Sequence, residues 1–242
     1  MRIQDAAGTR AAKAVAILQA RMSSKRLPGK VMCSLLGKPM IERQLERLDQ
    51  CRTLGRVIVA TSELPADDPL ASHLASLGVD VFRGALDDVL GRFIGAAAAF
   101  GVQGVVVRLT ADCPLADPTV IDACVQRQAD LGADYVSNAL KRTYPRGLDV
   151  EVFPLEVLRI AQREATEHHE REHVTPFIYR HPERFRLADI VQDRDESHLR
   201  WTVDTPADFA FVERVYEALY PTNAAFTSDD VKRLPFTHLE PG

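Results

Sequence analysis

The segment AVAILQARMSSKRLPGK, residues 14–30, changes abruptly from apolar to basic. Its first part, AVAIL at 14–18, has the length and the side chains of a buried β-strand. Four cations follow it closely: Arg21, Lys25, Arg26 and Lys30. In parallel sheets, ligands bind at the carboxyl ends of the strands. The segment therefore predicts an α/β fold with an anion-binding loop directly after its first strand.

The loop after this strand combines cations, two serines and a Pro28-Gly29 turn. Gly29 permits a close backbone approach, and Ser24 and the backbone N–H groups can donate to charged oxygens, so these residues are candidates for phosphate binding. The loop contains neither GxxxxGK[ST] nor GxGxxG. A solvated basic turn is the alternative interpretation of the loop taken alone.

The remainder of the chain continues the alternation of strands and helices. The predicted strands include 56–62, 79–84 and 104–112, and helical periodicity covers 39–51, 68–78, 87–101 and 117–132. The pattern loosens over 134–197, an elaboration of the same domain, and HLRWTVD (198–204) then restores a strand before the helix of 205–219. This order predicts a mostly parallel sheet with helices on both faces.

Length and composition favour a single cytoplasmic domain. A chain of 242 residues with 46% hydrophobic composition can bury one substantial core. The net charge of −4 includes no broad Lys/Arg surplus, which argues against a nucleic-acid partner. Four cysteines without a CxxC pair suit a reducing compartment. The N-terminal apolar stretch is too short to span a membrane, and residues 1–13 are expected to form a disordered tail.

A Thr-x-Asp-x-Pro template occurs twice, around Asp112 and around Asp204. In each copy an apolar run leads to the aspartate, and a proline then ends the strand, so both carboxylates are expected at the carboxyl edge of the sheet. Mg²⁺ takes one or two carboxylates together with substrate phosphate oxygens. The alternative role is helix capping, but Thr205 and Asp117 are better placed as caps. The repeat therefore predicts a magnesium site.

The ordered motifs resemble the spore coat polysaccharide biosynthesis branch of the cytidylyltransferases, which is similar to the acylneuraminate and 3-deoxy-manno-octulosonate cytidylyltransferases. The resemblance covers about residues 14–220, and it is carried by QARMSSKRLPGK (19–30), TADCP (110–114), YPRGLDVEVF (144–153), REHVTPFIY (171–179) and WTVDTPADF (201–209). It implies a single Rossmann-like domain of the nucleotide-diphospho-sugar transferase type, a three-layer sandwich. Residues 134–197 would then serve the acceptor and a homodimer contact, and 221–242 would be a C-terminal extension.

The resemblance also implies a reaction. CTP and a small sugar acceptor would give a CMP-linked product and pyrophosphate, with Gln19, Ala20 and Arg21 beside the nucleotide. Arg21 and Lys30 would contact the triphosphate, and Asp112 and Asp204 would hold Mg²⁺. Such a transfer depends on positioning and charge neutralisation, so no protein nucleophile is required.

The acceptor side gives weaker signals. Strand alternation over 147–152 predicts Gly147, Asp149 and Glu151 on one face, where they could receive sugar hydroxyls, and Arg146 could bind an acidic group. His173 is a further acceptor candidate. A solvent-exposed edge strand is the alternative for each of these residues.

Three other functions compete with CMP transfer. HEREH at 169–173 matches the zinc-protease pattern HExxH, but Pro176 soon interrupts the helix and the longer metzincin pattern is absent. A related enzyme could use another nucleotide or a sugar 1-phosphate. A nucleotide-binding protein without catalysis would bind CTP and turn nothing over.

Overall fold

The computed structural model describes residues 13–237, and the expected tail therefore lies outside the described residues except for Lys13. The strands are Ala14–Gln19 (β1), Ser34–Leu35 (β2), Lys38–Pro39 (β3), Leu54–Ser62 (β4), Asp80–Gly84 (β5), Val105–Thr110 (β6), Tyr135–Ser137 (β7), Glu151–Pro154 (β8) and Leu187–Asp189 (β9). The α-helices are Met40–Leu48 (α1), Asp68–Ser76 (α2), Val89–Ala99 (α3), Pro118–Leu131 (α4), Leu155–Glu164 (α5), His168–His173 (α6), Pro176–Tyr179 (α7), Pro206–Leu219 (α8) and Ser228–Lys232 (α9). Short 3₁₀ turns cover Lys30–Met32 and Pro65–Asp67.

The main sheet has seven strands in the order β5-β4-β1-β6-β8-β7-β9. β1 pairs in parallel with β4 and β6, β4 with β5, and β7 with β9, whereas β8 runs antiparallel to β6 and β7. The predicted single α/β domain with a mostly parallel sheet is confirmed. β2 and β3 form a separate small hairpin.

Alternate residues of β1 divide between two apolar clusters. Ala16 and Leu18 belong to a cluster with residues of α1, α2 and α4, whereas Ile17 belongs to a cluster with residues of α3, α5 and α7. Successive side chains of a strand point to opposite faces of the sheet, so both faces of β1 are covered. This arrangement is the expected three-layer sandwich.

The topology also places a ligand site. β1 has β4 on one side and β6 on the other, so the strand order reverses between β1 and β6. The register aligns Gln19, the last residue of β1, with Thr110, the last residue of β6. Ligands of open α/β sheets bind at the carboxyl ends of the strands beside such a switch point.

Two predicted strands differ in the structure. HLRWTVD forms no strand of the sheet, and only Arg200 makes an isolated bridge, to Arg146. The predicted strand over 147–152 begins only at Glu151. Pro145 lacks an N–H group, and Gly147 has a φ of 105°, so the backbone facing 198–204 cannot continue a ladder.

The C-terminal part of the described chain packs onto the domain. Phe226 and Val231 are buried in a third apolar cluster with Trp201 and the inner face of α8. Asp230 completes a capping box with Thr227 at the start of α9. Residues 221–237 therefore add to the core beside α8.

Candidate active site

A cleft of about 760 Å³ opens at the carboxyl ends of β1 and β6. Its lining includes residues of the basic loop, of the turn before α3, of the TADCP segment and of α6. The residues are Gln19, Ala20, Arg21, Ser23, Ser24, Lys25, Arg26, Lys30, Val31, Leu86, Asp87, Val89, Arg92, Thr110, Ala111, Asp112, Glu172, His173 and Asp204. The cleft brings the basic loop and both template aspartates together, although they are distant in sequence.

The basic loop is closed by its own backbone. The N–H groups of Ser24 and Gly29 both donate to the carbonyl oxygen of Met22, each at 2.9 Å. Gly29 has a φ of 71°, a left-handed conformation that favours glycine. Gly29 therefore serves the turn and does not line the cleft, whereas Ser24 lines it with its backbone N–H already used.

Asp67 fixes the loop to the neighbouring strand. Its buried carboxylate accepts a 2.7 Å hydrogen bond from the N–H of Met22, a 3.0 Å bond from the Thr61 hydroxyl and bonds from the N–H and hydroxyl of Ser62. Burial raises the pKa of Asp67, but these donors outweigh burial and hold the pKa below its usual range. No sequence motif reveals Asp67, because Asp67-Asp68-Pro69 has the composition of an ordinary helix start.

Lys30 lies between the two aspartates. Its Nζ is 3.1 Å from Oδ1 of Asp204 and 3.7 Å from Oδ2 of Asp112, and it donates to the carbonyl oxygen of Val203 at 2.6 Å. The Lys30 side chain is only 12% exposed. Arg26 adds a second contact to Asp204 at 3.1 Å. The structure thus gathers two carboxylates around one cation.

The backbone explains how the two aspartates meet. The N–H of Val203 donates to the carbonyl oxygen of Asp112 at 2.8 Å, which ties the two template segments side by side. The caps predicted for the following helices are confirmed: Thr205 and Asp208 form a capping box on α8, and Asp117 caps α4. The side chains of Asp112 and Asp204 are therefore not engaged as caps.

Asp204 is held in its charged form. Burial raises its pKa, but the hydrogen bond and charge of Lys30, followed by the charges of Arg26 and Arg200, lower the pKa below the ordinary value. The carboxylate side chain remains 28% exposed and faces the cleft. It can therefore bind a cation at neutral pH.

The donor set fits Mg²⁺. The carboxylates of Asp112 and Asp204 come from different segments and both contact the ammonium group of Lys30. A divalent cation at this place would therefore meet two carboxylates. Within residues 13–237, no group of three or more His, Cys, Asp or Glu side chains is placed to hold a metal. A pair of carboxylates completed by phosphate oxygens and water is the usual Mg²⁺ arrangement, whereas Ca²⁺ takes more protein ligands.

Gln19 connects the cleft to a buried charge network. Its Oε1 accepts from Arg108 at 3.0 Å, and Arg108 forms an ion pair with Glu151. Glu151 also accepts from the Tyr135 hydroxyl at 2.5 Å and from the Thr175 hydroxyl. The network fixes the amide of Gln19 at the cleft. It also occupies Glu151, which is buried, so Glu151 does not offer the open face predicted for a sugar.

The other acceptor candidates fall into different environments. A Cβ at Gly147 would lie 2.8 Å from the backbone of Trp201, so this glycine serves close packing. Asp149 is held by Arg142 through two hydrogen bonds of 2.5 and 2.8 Å, and its side chain is 38% exposed. Arg146 is exposed and pairs through its backbone with residues 199 and 201.

His173 lines the cleft at the end of α6. Burial, and then the neighbouring His169, lower the pKa of His173, and the two ring centroids lie 4.6 Å apart. Val174 follows with a φ of 74°, and Thr175 N–H donates to the His173 carbonyl at 2.9 Å, which is a γ-turn that ends the helix. With α6 ending here, HEREH lacks the helical continuation of a zinc protease.

Two side chains in the template segments, Cys113 and Trp201, are buried. Cys113 is buried and, like the three other cysteines, free; burial raises the pKa of its thiol well above the usual value. Trp201 is 1% exposed in the third apolar cluster. Both side chains therefore belong to the packing of the domain.

Fold and site together define a class: an α/β nucleotidyltransferase, in which a cationic loop faces a pair of carboxylates across the switch point of the sheet. Residues 15–228 match the family model described as Cytidylyltransferase. The chain belongs to the cytidylyltransferase family, as the motifs led us to expect.

Individual relatives agree with this assignment. The chain is 34% identical over 210 residues to the spore coat polysaccharide biosynthesis protein SpsF of Bacillus subtilis, covering 83% of this chain and 85% of that protein. A solved cytidylyltransferase from Leptospira borgpetersenii superposes with a TM-score of 0.85 at 31% identity, over 91% of this chain and 92% of the other. A CMP:2-keto-3-deoxy-manno-octonic acid synthetase complexed with CTP shares the fold, with a TM-score of 0.63 at 19% identity, over 85% and 99% of the two chains.

Among residues 13–237, every helix is too short or too polar to span a bilayer.

Proposed function

We propose that the protein transfers CMP from CTP to the hydroxyl of a sugar or sugar-like acid and releases pyrophosphate. The observation that carries the proposal is the approach of Lys30 to both Asp112 and Asp204 beside the basic loop. Family membership supports the nucleotidyl transfer, and the solved synthetase complexed with CTP supports the choice of nucleotide.

In this proposal the chain mainly positions and neutralises charge. Arg21 and Lys30 bind phosphate oxygens, Ser24 adds a hydroxyl donor, and Gln19 and Ala20 form the floor beneath the nucleotide. Gly29 shapes the loop that presents these groups. Charge-assisted hydrogen bonds of this kind stabilise the departing pyrophosphate without a covalent intermediate.

Mg²⁺ is proposed as the cofactor, held by Asp112 and Asp204, where it would neutralise charge on the phosphate oxygens. Lys30 contacts both carboxylates and so keeps the two side chains together before a metal arrives, and it also helps to hold Asp204 in its charged form. Mn²⁺ bound to the protein and detected by electron paramagnetic resonance would test this assignment without any acceptor.

The acceptor is proposed to bind near His173, with the Arg142–Asp149 pair and Arg146 as further contacts. Gly147 and Glu151 support this region from within, through packing and through the Arg108 network. The similarity to SpsF supports a surface polysaccharide as the destination of the product. A cytoplasmic homodimer, joined through residues 134–170, completes the proposal.

The decisive experiment is a pyrophosphate-release screen. CTP, ATP, GTP and UTP are each tested with Mg²⁺, with and without EDTA, against a panel of ulosonic acids, nonulosonic acids and sugar 1-phosphates. We expect acceptor-dependent release with CTP that EDTA abolishes. Turnover with another nucleotide would indicate a sister enzyme of the same fold, and CTP binding without any turnover would indicate a non-catalytic partner protein.

A further inference from the structure

Arg92 is a buried cation that the sequence motifs did not reveal. It lies at the start of α3, is only 2% exposed and yet lines the cleft. Its Nη1 donates to the carbonyl oxygens of Ala85 and Leu86 at 2.7 and 2.6 Å. Within residues 13–237, its Nε is buried without a hydrogen-bond partner. A guanidinium in this situation retains donor capacity for a group that enters the cleft.

The sequence makes room for this side chain at the carboxyl edge of the sheet. Gly84 is the last residue of β5, and a Cβ at that position would lie 3.1 Å from Cγ of Arg92. The missing side chain lets the aliphatic part of Arg92 cross the end of β5, and its charged head then reaches the cleft from the side of α3.

The carboxylates around Arg92 are engaged elsewhere. Asp88 accepts from the N–H of Gly91 at 2.9 Å and from Arg171 at 2.7 Å. Asp67 holds the basic loop, as described above. Asp87 is exposed in the cleft wall and forms no ion pair with Arg92 in the described chain. Arg21 adds a second positive charge, and after burial it is the strongest influence that lowers the pKa of Arg92.

Other buried arginines of the chain have compensation that Arg92 lacks. Arg47 also has a nitrogen without a hydrogen-bond partner, but its guanidinium lies 4.1 Å from the centroid of Phe226. Arg43 contacts the ring of Tyr220 at 4.4 Å and forms an ion pair with Glu46. Among the described residues, Arg92 forms neither a cation–π contact nor an ion pair, and Asp67, Asp88 and Asp87 act on it through their charge alone.

We propose that Arg92 and Arg21 form an oxyanion subsite that binds a phosphate group of the nucleotide. Two cations that share one cleft repel each other, and a phosphate between them would relieve this repulsion and satisfy the free donors of Arg92. The subsite rests on the proposed function for the identity of its ligand. It adds a phosphate contact from α3 to those that the basic loop would make.

The test compares probes with and without phosphate. Calorimetry and competition binding measure the affinities of CTP, inorganic pyrophosphate and cytidine for the wild type, for Arg92→Gln and for Arg92→Lys. We expect Arg92→Gln to lower the affinity for CTP and for pyrophosphate by about 10- to 100-fold, which is the range for loss of a charge-assisted hydrogen bond. The affinity for cytidine should stay unchanged. Arg92→Lys keeps the positive charge but lacks the planar set of guanidinium N–H donors, so we expect an intermediate loss of affinity.

Arg47→Gln is the matched control, since it removes a buried arginine that also donates to two backbone carbonyls but lies outside the cleft. It should reduce thermal stability and leave the ratio of CTP to cytidine affinity unchanged. Equal weakening of cytidine and CTP in Arg92→Gln, or unchanged CTP binding in that folded variant, would overturn the subsite. A wild type that binds no CTP would instead refute the proposed function.

Discussion

The cleft and the buried network behind it handle charge in opposite ways. In the cleft, Arg21 and Lys25 form no ion pair within residues 13–237, and Arg92 has no carboxylate partner there. In the network, Arg108 has Glu151, and Glu151 has two further hydroxyl donors. The charges of the network are satisfied within the fold, whereas the cations of the cleft that lack partners indicate where an anionic ligand binds.

The largest expected effect is on the network. Glu151→Gln would leave the Arg108 guanidinium buried without a counter-charge, which typically costs about 3–5 kcal/mol. Urea denaturation should show this loss of unfolding free energy. If Glu151→Gln kept wild-type stability and lost only acceptor binding, Glu151 would belong to the cleft and the contrast between the two regions would fail.

The next largest effect concerns turnover. Asp112→Asn and Asp204→Asn should each lower the rate of pyrophosphate release by about 10²–10³-fold, the scale for removal of one electrostatic contact to a transition state, and the thermal midpoint should change little. Asp122→Asn is the control, because Asp122 accepts from the backbone of Arg52 and Thr53 outside the cleft. It should lower stability and leave turnover intact. Full Mg²⁺-dependent turnover in either cleft variant would refute the metal assignment for that residue.

Much of this contrast could be predicted from the sequence. The apolar runs of β1, β4 and β6 are fully covered by helices and therefore carry strong periodic signals, and the paired Thr-x-Asp-x-Pro templates place both aspartates correctly at one site. Arg108 also carried a signal, since a charged residue within the apolar run VVVRLT requires a partner on a neighbouring strand.

The rest depended on tertiary contacts that leave no local pattern. Asp67 and Arg92 belong to no recognisable motif. Asp67 matters because it binds the backbone of Met22, and Arg92 matters because the fold places it in the cleft. HLRWTVD has the composition of a strand, but the backbone beside it is interrupted at Pro145 and Gly147. Strand propensity cannot anticipate the shape of the neighbouring segment.

The pH dependence of stability tests whether the charged carboxylate of Asp67 holds the basic loop. Asp67→Asn replaces an acceptor-only carboxylate by an amide that cannot satisfy all of its donors, and we expect a loss of about 1–3 kcal/mol in unfolding free energy. Because the folded pKa of Asp67 is lowered, its stabilisation is present above the unfolded pKa of about 3.9 and is lost as the pH falls through the folded pKa.

Denaturation from pH 6 to pH 3 should therefore show a smaller loss of stability in Asp67→Asn than in the wild type. The same variant should also bind CTP more weakly. Asp67 accepts from the N–H of Met22, and the carbonyl oxygen of Met22 closes the loop that carries Arg21 and Lys30. An unchanged pH profile would mean that the carboxylate does not hold the loop in its charged form.

The smallest expected effect lies at the ion pair of Arg142 and Asp149. The pair is bidentate but partly exposed, so solvent screens it, and a double-mutant cycle with Arg142→Gln and Asp149→Asn should give a coupling energy of about 1 kcal/mol or less. CTP affinity should stay unchanged in both variants, because neither side chain lines the cleft. If the acceptor binds here, its KM should rise in each single variant while the coupling in the free protein remains small. A large coupling energy with an unchanged acceptor KM would instead assign the pair to the scaffold.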